Sequence, residues 1–134
     1  MVELKMKHDR LLLITSLLSI FVISLHFTDD IVRGISGAGF ENVGAIVILL
    51  VWVLGTLLLN GRLVGYIIML LGGVFATAMP VLHMRGARFP EIVHGPGGFF
   101  FLWTLIILGV TGTFSIILAI LCVWNSRRKP SPDA

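Results

Sequence analysis

The chain has 134 residues, of which 57% are hydrophobic and 13% charged, with a formal net charge of +3 and a mean hydropathy of +1.01. A soluble domain carries about 25% charged residues, whereas here the ionisable groups gather in short clusters between long apolar runs. The pattern excludes a soluble globular enzyme, a disordered tail and, despite the basic balance, a nucleic-acid-binding module, because cations that flank apolar spans set membrane topology.

Lys5, Lys7 and Arg10 precede an apolar run from Leu11 to about Phe27. The arrangement is that of a signal peptide without a cleavage context, since the nearest small-x-small site, Ser36-Gly37-Ala38, lies past Asp29, Asp30 and Arg33. An uncleaved first helix over about 11–33 is expected. At ~100° per residue, Thr15, Ser19, His26, Asp30 and Arg33 fall along one line of it. Polar groups at membrane depth need partners, so this stripe should face other helices.

Gly34-Ile35-Ser36-Gly37-Ala38-Gly39 links it to a second span, 43–59, that contains no charge. Asn60-Gly61-Arg62 is a turn short enough to make the second and third spans an antiparallel hairpin. The third span, 63–83, places Gly72, Ala76, Met79 and His83 on one face. Its Gly72-x-x-x-Ala76 spacing permits close backbone approach, and Pro80 should bend the turn that carries His83. Met84 to Gly98 reads as the longest loop, closing on His94-Gly95-Pro96-Gly97-Gly98. The fourth span, 99–124, aligns Thr104, Thr111, Ser115 and Cys122, with Phe99, Phe100, Phe101 and Trp103 at one membrane interface and Tyr66 and Trp124 at the other.

The expected fold is an all-α integral membrane protein, a four-transmembrane-helix bundle over 1–126, followed by a basic, disordered tail over 127–134. Four crossings put Lys5, Lys7, Arg10, Arg62, Arg127, Arg128 and Lys129 on one side and Arg33, Arg85 and Arg88 on the other. Seven cations against three place both termini in the cytoplasm of an inner membrane. The single Cys122 excludes an intrachain disulfide and a multi-cysteine metal site.

His26, Asp29, Asp30, Arg33, Glu41, His83, Arg85, Arg88, Glu91 and His94 all map to the outer end. The middles of the last three spans hold no ionisable residue, unlike an ion-coupled transporter. The plainest account of the outer cluster is helix capping and pairing of the acids with Arg33, Arg85 or Arg88. A second is a metal site: His26 and Asp30 are i,i+4 and reach one ion, with His83 and His94 completing a four-ligand set. A third is haem b between His26 and His83 as axial ligands. No nucleophile–base arrangement, P-loop or dinucleotide fingerprint occurs. The expected function is therefore non-enzymatic: helix association within the lipid bilayer, as an accessory or structural subunit beside other membrane protein subunits. The alternative is a metal- or haem-binding redox protein with its site near the outer face.

Overall fold

The computed structural model describes residues 2–36 and 39–127. Gly37, Ala38 and the expected tail from Arg128 onward lie outside the described residues. The described chain is helical, with no strand. In order it forms α1 (Val2–Val32), a single 3-10 turn (Phe40–Asn42), α2 (Val43–Leu58), α3 (Leu63–Met84), a short α4 (Phe89–His94) and α5 (Gly98–Arg127). Three of these, α1 from Met6 onward, α3 and α5, are long and apolar enough to cross a membrane; α2 is a shorter apolar helix. They mark a membrane-embedded chain.

Helix ends follow local chemistry. Gly34 adopts φ +66°, and Ile35 N–H donates to Asp30 O at 2.8 Å while Gly34 N–H donates to Ile31 O at 3.1 Å. This left-handed glycine cap closes α1 and returns Ser36 over its last turn. Gly61, at φ +80°, makes the hairpin turn, where Arg62 N–H donates to Leu59 O. Two boundaries differ from the sequence expectation. α1 starts ahead of the apolar run, at Val2, with Glu3 in its first turn, where a negative charge favours the helix N-terminus. The expected loop after Met84 contains α4, which starts with Pro90 in its first turn and Glu91 beside it.

α5 is the central helix, packed along both α3 and α1, and α2 lies against α3. The α3–α5 contact is tight because both sides lack side chains. A Cβ on Gly112 would stand 2.8 Å from Gly73 O and 2.6 Å from Thr77 Oγ1. The close backbone approach thus uses Gly73 with Gly112. Gly72, expected for that role, instead receives the indole of Trp52. Trp52 is buried, and its Nε1–H donates to Ser16 Oγ at 2.8 Å, with Thr56 Oγ1 2.9 Å from the same oxygen. Toward the other end, Tyr66 OH donates to Asp9 Oδ1 at 2.8 Å. On the outside, Phe21, Leu54, Leu71, Val110, Phe114 and Ile117 are exposed on several helices, a surface that lipid rather than water accommodates.

Candidate metal centre

The inward stripe of α1 carries Ser19, His26 and Asp30, all buried. α3 brings His83 to the same depth. The His26 and His83 rings meet edge to face with centroids 4.9 Å apart. Phe101 of α5 packs against both, at 5.1 and 5.5 Å. Phe101 had been expected among the interfacial aromatics. Phe99 and Trp103 do stack at the exposed surface, but helical rotation turns Phe101 fully inward.

Hydrogen bonds fix both imidazoles. Thr104 Oγ1 donates to Phe101 O at 2.9 Å, so its single hydrogen is committed. It then accepts from His26 Nδ1–H, 2.9 Å away. His83 Nδ1–H donates to Met79 O at 3.0 Å. With Nδ1 bonded in each ring, both Nε2 atoms are turned toward Asp30, and His83 Nε2 is hydrogen-bonded to Asp30 Oδ2. Asp30 Oδ2 lies 3.8 Å from His26 Nε2 and 3.3 Å from His83 Nε2. His26 Nε2 and Asp30 Oδ1 are buried with no hydrogen-bond partner among the described residues.

The centre thus holds a His83–Asp30 hydrogen bond beside two further atoms, His26 Nε2 and Asp30 Oδ1, that lack a partner among the described residues. Leaving such groups unpaired in a dry interior costs roughly 1–3 kcal/mol each, and a cation satisfies them together. The three ligand atoms lie within 4.8 Å of one another. Two imidazole nitrogens and a carboxylate suit a divalent first-row transition metal such as zinc or iron(II). Thr104 and Met79 O are positioning groups, orienting the rings through their far nitrogens as outer-shell partners of metal-bound histidines do.

The arginines do not take up this carboxylate. Arg33 pairs with Asp29 at 3.3 Å, donates to Ile92 O and lies over the Phe101 ring. Arg88 approaches Glu91 at the surface. His94 is not drawn into the cluster: it is exposed on α4, and its Nδ1–H bonds back to Pro90 O. A bis-histidine haem does not fit, since the two imidazoles touch each other and the Phe101 ring, leaving no slot for a macrocycle between them.

Two contributors escaped the sequence reading. Ser36 borders the site with a buried Oγ that has no partner among the described residues, and the α1 cap explains its placement. Thr104 was legible as an inward residue but not as the partner of His26. Thr104→Val, nearly isosteric, removes that acceptor and is expected to weaken metal affinity roughly 10–100-fold. Calorimetric titration of the reconstituted protein, with helix content as the folding control, checks it.

No protein-family model matches the chain, and no curated protein or solved structure matches it.

Proposed function

We propose that the chain is a small polytopic membrane protein that binds one divalent transition metal through His26, Asp30 and His83, near the outer face of an inner membrane. The observation that carries this reading is the convergence of two Nε2 atoms and a carboxylate within 4.8 Å of one another, with both rings held through Nδ1 and with His26 Nε2 and Asp30 Oδ1 left without a partner among the described residues. Titration of chelator-stripped protein in nanodiscs with zinc tests it. Wild type should bind one equivalent and the His26→Gln variant none, with the variant still folded, because an amide replaces a neutral imidazole as the hydrogen-bond partner of Thr104. A wild-type protein that takes up no metal would remove the reading.

In this account α1, α2, α3 and α5 cross the bilayer and α4 lies at the outer surface. α2 covers ~24 Å at 1.5 Å per residue, and the preceding turn with local bilayer thinning supplies the remainder. The cation balance supports cytoplasmic termini. Reporter fusions after Lys129 and within 85–91 are expected to report opposite compartments, with the tail inside; the same compartment for both would contradict four crossings.

A second reading, association with another membrane subunit, is favoured by an apolar groove of ≈ 320 Å³ on the lipid side of α2 and α3. Val47, Val51, Ile68, Leu71 and Phe75 line it, among others. A photoreactive residue at Leu71, but not one at Phe114, should then crosslink to a partner helix.

A further inference from the structure

Resting on the metal reading above, we infer that the metal keeps an open coordination position, and that this position takes a small monoanionic ligand from an adjoining cavity. Three protein donors are present among the described residues, one fewer than a closed tetrahedral zinc shell requires. Beside them lies a cavity of ≈ 200 Å³, bordered by Ser36, Ala45, Leu49, Phe75 and Met79 as well as by the three ligands. At ≈ 30 Å³ per liquid water, that is room for about six waters or one short carboxylate.

Charge selects the ligand. A divalent ion, the Asp30 carboxylate and two neutral imidazoles sum to one positive charge. Asp29 and Arg33 nearby pair with each other and do not offset it. A lone charge in a low-dielectric interior is strongly disfavoured, and one monoanion neutralises it. Ser36 Oγ, buried in the cavity wall and without a partner among the described residues, supplies a donor to such an anion. The apolar remainder of the wall suits a compact ligand such as azide or a short-chain carboxylate, and disfavours a polyanion.

Cobalt(II)-loaded protein in nanodiscs provides the test, because its visible d–d bands report coordination. Azide or butyrate should shift those bands saturably, at one ligand per metal. Ser36→Ala should weaken the response by roughly tenfold or less, the loss of one hydrogen bond. Ala45→Leu, which narrows the cavity without touching the metal ligands, should retain cobalt and lose the response. Cobalt bound with bands indifferent to both anions would overturn the open position and leave the metal reading standing. A full response in Ala45→Leu would place the anion outside this cavity and overturn the inference. Failure of cobalt to bind at all would remove the metal reading, and this inference with it.

Discussion

Asp30→Asn is expected to abolish stoichiometric zinc binding while leaving the metal-free protein at least as stable as wild type. Wild-type Asp30 bonds His83 Nε2 through Oδ2, lies beside the unpartnered Nε2 of His26, and leaves Oδ1 without a partner among the described residues. An asparagine amide brings N–H donors to that geometry and can satisfy one Nε2, a contribution of about 1 kcal/mol. It loses the negative charge that a divalent ion needs. A purely structural role for Asp30 predicts the reverse. If the carboxylate paired with a charged His83 to hold α1 on α3, removing it would strand a buried cation at a cost of roughly 3–5 kcal/mol. Equilibrium unfolding in mixed micelles, run beside zinc titration on the same variant, separates the two accounts by sign.

Trp52→Ala should produce the largest stability loss of any single truncation in the bundle, about 3–5 kcal/mol. The indole is buried in one hydrophobic cluster with Ile20, Ile23, Ala76 and Leu108. It fills the space left by Gly72 and is the donor that ties α2 to Ser16 of α1. Trp52→Phe keeps most of the ring and loses chiefly the hydrogen bond, so it should cost clearly less. Both changes lie away from the candidate ligands His26, Asp30 and His83. Unfolding monitored by helix content checks the ranking; equal losses for Phe and Ala would mean that the hydrogen bond rather than the ring anchors α2.

The apolar spans and the hairpin turn were legible because membrane helices write their length into the sequence as uninterrupted hydrophobicity. The inward face of α1 was legible in part: of the expected stripe, Ser19, His26 and Asp30 are buried, whereas Thr15 and Arg33 are only half-buried. Four features were not. α4 looked like loop because prolines and glycines flank it, yet Pro90 starts a helix as readily as it ends one. His94 shares a residue type with two of the candidate ligands but is exposed on α4 and bonded to its own turn, a placement that residue type does not report. Gly72 and Gly73 are adjacent, and sequence alone did not show which would meet a backbone and which an indole. Ser36 entered the site through the cap made by Gly34, a dihedral consequence that periodicity does not report.

Zinc K-edge X-ray absorption on the loaded protein in nanodiscs tests the central claim most directly. A single site formed by His26, Asp30 and His83 predicts nitrogen and oxygen neighbours at about 2.0–2.2 Å, with the outer scattering of two imidazoles, and loss of one imidazole in the His83→Gln variant if that variant retains metal. Zinc surrounded by oxygen alone, or a spectrum unchanged by His83→Gln, would contradict it.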